Sequence, residues 1–137
     1  MGRRNAREAL LALMYEYDVV GEKGHETLSV MGDVLATSLN DSDNAYIEKG
    51  YDFFMSKIEE IDEIIKASLT SWDIERLSRV DVSIMRLAVI DMKYFDDIPT
   101  KVAINEAVEL GKRFSSEKAP KFINGVLAGC VKVLDKE

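Results

Sequence analysis

Apolar side chains recur at three- and four-residue spacing along almost the whole chain, and only two prolines interrupt them. That period belongs to helices that bury one face, and no stretch shows the strict alternation of a half-buried strand. With eight glycines in 137 residues, little else breaks the pattern. Long helices are therefore the expectation.

The spacing predicts a first helix over residues 4–18, through Ala6, Leu10, Leu13, Met14 and Tyr17, ended by Gly21 and Gly24. A second is expected over 26–39, through Leu28, Met31, Val34, Leu35 and Leu39. The polar residues 40–44 form a turn rich in N-caps. A third helix follows with Tyr46, Ile47, Tyr51, Phe54 and Met55, and a fourth over 58–69 with Ile58, Ile61, Ile65 and Leu69. Thr70-x-x-Asp73 and Ser78-x-x-Asp81 resemble capping boxes, predicting a short helix near 71–77 and a long one over 79–94. Residues 96–99 make a turn, Thr100 caps a helix to Phe114, and Ser115-Ser116 breaks it. Pro120 suits the first turn of a last helix reaching about Leu134. Six or seven helices with no solenoid period describe an all-α compact bundle, as one domain or two tightly joined halves.

Composition narrows function. No apolar run approaches the roughly 18 residues of a membrane span. Glu8, Glu16 and Asp18 break the apolar stretch that a signal peptide would need, so a cytoplasmic protein is expected. One cysteine, Cys130, excludes an internal disulfide. One histidine, His25, leaves almost no material for a zinc site or histidine-based catalysis. No glycine-rich phosphate loop or GxSxG elbow is present. No enzyme, metal or cofactor is expected.

Charge is unevenly placed. The net charge of −7 conceals +3 in residues 1–7, from Arg3, Arg4 and Arg7, and +2 in residues 101–121, with an acidic body between. The basic first turn reads either as a nucleic-acid contact or as a solubilising cluster, and composition alone leaves both open.

Helical projection picks out side chains that miss the core stripes. In the last helix Ile123, Val126, Leu127, Cys130, Val131 and Leu134 share one side, whereas Phe122 points toward Lys121 and Gly125. An aromatic beside a lysine can stack an unpaired base and hold its phosphate. It can equally pack against a neighbouring helix end. Tyr15 leaves the first core stripe for the flank of Arg4 and Leu11, as a protein-contact patch or as a surface that another helix covers. Cys130 and Trp72 read as core. Arg86 and Glu106, both within apolar helices, read as interhelical ion pairs. Met14, Met31, Met55, Met85 and Met92 sit at core-compatible positions.

Three runs then carry a resemblance. Arg4-Asn5-Ala6-Arg7-Glu8, followed by Ala9, Leu10, Met14 and Tyr15, is the first. The second runs over 97–110 as DIPTKVAINEAVEL, with Lys112 and Phe114 after it. The third is Lys121-Phe122-Ile123-Asn124-Gly125-Val126-Leu127. With Val80-Asp81 and Met85-Arg86-Leu87-Ala88 between them, the chain resembles the NusB family of transcription antitermination factors. The match is collinear over essentially the whole chain and weakest over 20–70. It implies about seven helices in two helical subdomains, near 1–70 and 71–137. It implies binding of a boxA-type single-stranded RNA together with NusE, a small-subunit ribosomal protein. It also implies entry into an RNA polymerase antitermination complex that supports ribosomal RNA transcription in bacteria. By position, the resemblance assigns Arg3, Arg4, Arg7, Lys121 and Phe122 to RNA, and Tyr15, Glu75 and Asp81 to the protein partner.

Two departures matter. Asn5 interrupts the arginine run at a short N-terminus, and Ala119-Pro120 replaces more polar residues before the Lys-Phe pair. Fewer phosphate contacts imply modest affinity, and binding that rests on phosphate contacts depends on salt. The same fold heads some RNA cytosine methyltransferases. A chain ending at Glu137 has no room for their cofactor-binding domain, so a free-standing adaptor is expected. Monomer and homodimer both remain open, as does a purely protein-binding module without RNA.

Overall fold

The computed structural model describes residues 2–21, 39–69 and 73–135. The expected helix over 26–39, apart from Leu39, lies outside the described residues, as do Gly24, His25, Thr70 and Trp72. Among the described residues there are five α-helices, one 3-10 turn and no strand. The helices are α1 (Gly2–Val20), α2 (Asp41–Ser68), α3 (Arg79–Tyr94), α4 (Thr100–Phe114) and α5 (Ala119–Val133). The 3-10 turn, Ile74–Arg76, stands where a short helix near 71–77 is predicted.

Local chemistry sets most of the boundaries. Gly21, at φ +101°, takes the chain out of α1. Asn40 starts α2 with a reciprocal capping box: its side chain accepts from the Asp43 N–H, and the Asp43 side chain accepts from the Asn40 N–H. The Ser78 Oγ accepts the Asp81 N–H at 3.3 Å and starts α3. Pro120 lies in the first turn of α5, as predicted.

One expectation holds in modified form and one needs correction. The two helices expected on either side of residues 56–57 run together as α2, but a kink divides them at Lys57, whose backbone (φ −125°, ψ 19°) is not helical. Neither Gly nor Pro marks that bend. Thr100 does not cap α4 but is its first helical residue; Pro99 occupies the cap position and supplies no side-chain cap.

Helix α3 is the axis of the fold. It touches α1, α2, α4 and α5. Every residue from position 81 to 92 is buried, including Asp81, Ser83, Arg86 and Asp91. A helix surrounded on all sides loses its polar face, so the charges it carries must be paired inside the protein. Arg86 donates to both oxygens of Asp62 at 2.8 and 2.9 Å and to Asp18 at 3.1 Å, tying α3 to α2 and α1. The ion pair expected of Arg86 is thus present. Around α3, Leu10, Leu13, Met14, Phe54, Ile61, Ile65, Ile123, Leu127 and Cys130 fill the core. Gly50 lets α1 close on α2, since a Cβ there would lie 2.5 Å from Leu10 Cδ2. Met14, Met85 and Met92 are buried as expected, but Met55 is exposed.

Candidate nucleic-acid and partner interface

The three arginines of the first turn share one helix and have different fates. Each hands its Nε–H to a carboxylate on a different helix. Arg3 donates to Asp43 of α2 at 3.2 Å and to the Ser42 hydroxyl at 2.9 Å, and its guanidinium lies 4.8 Å from the centre of the Tyr46 ring. Arg4 donates through Nε and Nη2 to the two carboxylate oxygens of Glu106 of α4, at 3.0 and 2.7 Å. Arg7 donates to Asp91 of α3 at 2.9 Å, and the Tyr46 hydroxyl donates to the same carboxylate at 2.7 Å. Burial separates them further. The Arg4 side chain is 51% exposed and that of Arg3 36%, but Arg7 keeps only 6%.

Arg7 is therefore a buried strut between α1 and α3, and its guanidinium does not reach the surface where a phosphate would lie. Such a pair tolerates loss of neither partner, because the survivor is left charged and unsolvated. The +3 of the first turn is also not a +3 surface, because each arginine faces a carboxylate. The interhelical ion pair expected of Glu106 is present, with Arg4, whereas nothing in the local sequence announces Asp43 or Asp91 as partners.

Three shallow grooves follow one another along the molecule. The first holds about 230 Å³ and is lined by Arg4, Glu8, Glu106, Glu109, Lys112 and Arg113 among others. Its charges pair internally: Arg113 donates to Glu8 at 2.9 Å and Lys112 to Glu109 at 3.1 Å. The second, about 280 Å³, shares Glu8 and is otherwise lined by Leu11, Ala12, Tyr15, Val80 and Phe114. Tyr15 and Phe114 are 38% and 45% exposed there, while Leu11 is covered. The third, about 350 Å³, is lined by the segment 76–78, Asp81, Ser116, Lys118, Ala119 and Phe122. Val80-Asp81 of α3 and the end of α4 connect the second groove to the third.

At the third groove the predicted residues again divide. Phe122 is half-buried, packing on the core while lining the groove. Lys121 beside it is exposed, as is Lys118 at the start of α5. Among the described residues no carboxylate lies within ion-pair distance of either lysine. A Cβ on Gly125 would meet nothing within 4 Å, so no packing inside the chain requires glycine there. Glu75 is exposed in the 3-10 turn. Asp81 is buried: its backbone N–H is capped by Ser78, and its carboxylate accepts the Ser115 hydroxyl. It locks the end of α4 to the start of α3 and offers little to an outside partner.

Arg4 and Phe122 thus lie in different grooves, with the Tyr15 groove between them. Sequence projection finds Tyr15, Lys121 and Phe122 because they miss the core stripes. It misses Phe114, which closes the apolar groove, and Lys118.

Comparison with known proteins adds a frame. The NusB family model matches residues 4–132. The transcription antitermination protein NusB of Natranaerobius thermophilus is 44% identical over 143 residues, covering 99% of this chain and 99% of that protein. A crystal structure of antitermination factors NusB and NusE in complex with dsRNA contains a chain 30% identical to this one. That chain superposes with a TM-score of 0.85, covering 96% of this chain and 97% of the other. The solution structure of NusB from Aquifex aeolicus is 30% identical, with a TM-score of 0.79 over 100% of this chain and 94% of the other.

Proposed function

The chain belongs to the NusB family of transcription antitermination proteins, and from that premise we propose that it is a non-catalytic cytoplasmic adaptor that binds boxA-type RNA together with NusE. In this reading it enters an RNA polymerase antitermination complex and supports ribosomal RNA transcription. Its two halves, near 1–70 and 71–137, each bring one RNA foothold. Arg3 and Arg4 are the first. Lys121 and Phe122, reinforced by Lys118, are the second. Arg7 contributes by fixing the first turn rather than by touching phosphate. NusE takes the groove of Tyr15 and Phe114, with the exposed Glu75 of the 3-10 turn as a further contact and Asp81 holding the ends of α3 and α4 together.

The observation that carries the reading is the third groove. Lys118 lines it with the half-buried ring of Phe122, Lys121 is exposed next to Phe122 in the chain, and neither lysine has a carboxylate partner among the described residues. Unpaired ammonium groups attract phosphate, and an adjoining aromatic face accepts a base. The chain has no helix, among the described residues, long and apolar enough to cross a membrane.

Titration of a single-stranded boxA RNA, with and without NusE, tests the proposal. Binding by the chain alone is expected to be weak and salt-sensitive, and to strengthen when NusE is present. Tyr15→Ala should remove the gain from NusE while leaving binding by the chain alone in place. No RNA binding in either arm at low salt overturns the RNA role and leaves a protein-binding module.

A further inference from the structure

Arg4 is the most exposed arginine of the first turn, and it is the one gripped by two parallel hydrogen bonds. The direction of that grip matters. Glu106 takes the Nε and Nη2 hydrogens on one side of the guanidinium. Arginine carries five N–H donors in a rigid fork. Both Nη1 hydrogens and the outer Nη2 hydrogen are left, on the end of the fork. No acceptor among the described residues is bonded to Nη1. The Arg4 side chain is 51% exposed over a Glu106 side chain that is only 18% exposed, so the pair sits at the surface with its carboxylate on the inner side. The buried Arg7 Nη1 lies 3.9 Å from Glu106 Oε1, the oxygen that also accepts Arg4 Nε.

We propose that Glu106 is a positioning residue for RNA: by gripping Arg4 side-on, it fixes the end of the guanidinium toward solvent for a phosphate. The inference rests on the RNA-binding reading above and adds a residue to it. A free arginine on a surface loses rotamer freedom when it binds. One already held in a bidentate pair has lost that freedom in the folded chain. The same carboxylate cancels much of the long-range pull of Arg4, so the gain is in orientation rather than attraction. Glu106 also joins Arg4 to the buried Arg7–Asp91 pair, making the surface contact an extension of the core.

The test is RNA affinity, measured with a boxA RNA oligonucleotide and NusE, for the wild type, Arg4→Ala, Glu106→Gln and the double variant, with thermal melting as the folding control. Glu106→Gln is expected to weaken RNA binding by about threefold to tenfold, and the double variant to be no weaker than Arg4→Ala alone. Arg4→Lys leaves the Glu106–Arg7 contact untouched, so it reads the same effect even if Glu106→Gln folds poorly. It keeps the charge but loses the fork, and should bind as weakly as Arg4→Ala. Tighter binding by Glu106→Gln, multiplying losses in the double variant, or wild-type affinity in Arg4→Lys each overturn the proposal. If the wild type binds RNA but Arg4→Ala is unaffected, the positioning role fails and the functional reading stands. If the wild type binds no RNA, both fail.

Discussion

The two basic clusters of this chain look alike in the sequence and differ in the fold. In the first turn of α1, every arginine is committed to a carboxylate of another helix, and Arg7 is buried with its partner. At the start of α5, Lys118 and Lys121 stand exposed, with no carboxylate of the described residues paired to them. The difference follows from the side chains available. An arginine can satisfy a carboxylate bidentately and still be packed, which suits a helix end that must dock. A lysine keeps a strongly hydrated point charge in water and stays available. A run of positive residues is thus no measure of positive surface. The arginine turn mainly docks α1, while the lysine end keeps its charge in solvent, as the proposed phosphate contact requires.

The largest test of that contrast is Arg7→Ala. It leaves Asp91 buried without its guanidinium and should cost about 3–5 kcal/mol of stability, read by urea denaturation. A loss under about 1 kcal/mol would place Arg7 on the surface after all. Next in size is Lys118→Ala with Lys121→Ala. Melting should hardly change, because neither lysine is paired with a described carboxylate. RNA affinity should fall, and the slope of log affinity against log salt should flatten by about 0.7 for each phosphate that the variant no longer neutralises. An unchanged slope would move the RNA site away from α5. The smallest effect is on acid stability. The Arg4 hydrogen bond, against opposing burial, holds the Glu106 carboxyl below its usual range. Burial would raise Asp18, but hydrogen bonds from Arg79 and Arg86 outweigh it and hold it low. A carboxylate that ionises more readily in the folded state stabilises it above the unfolded value and loses that contribution as pH falls through the folded one. Stability should therefore decline as pH drops through and below the ordinary carboxylate range. Glu106→Gln should make that decline shallower; an identical acid limb in this variant would show that the Arg4 pair contributes nothing.

Much of the fold was legible because its signals are local. Helices α3, α4 and α5 follow from apolar spacing, a capping serine and a proline in a first turn. The division at Lys57 also shows in the apolar spacing, which restarts at Ile58, although no glycine or proline marks it. In the site, Tyr15, Lys121 and Phe122 were visible as residues off the core stripe. The state of the arginines was not visible, because their carboxylates lie 40, 102 and 84 positions away, for Arg3, Arg4 and Arg7 in turn. No window on the sequence spans those distances. The fate of Asp81 was hidden likewise, since Ser115 sits 34 positions on.

The apolar groove around Tyr15 and Phe114 has a consequence for ligand length. It separates the two RNA footholds of the proposed function, so a short oligonucleotide occupies one or the other, each alone a weak grip. An RNA long enough to reach both gains by tethering: once one end is seated, the other meets its foothold at a high local concentration. A protein lying in the middle groove sits directly along that route. Whether it bridges the gap or obstructs it would set the minimum RNA length this chain can read.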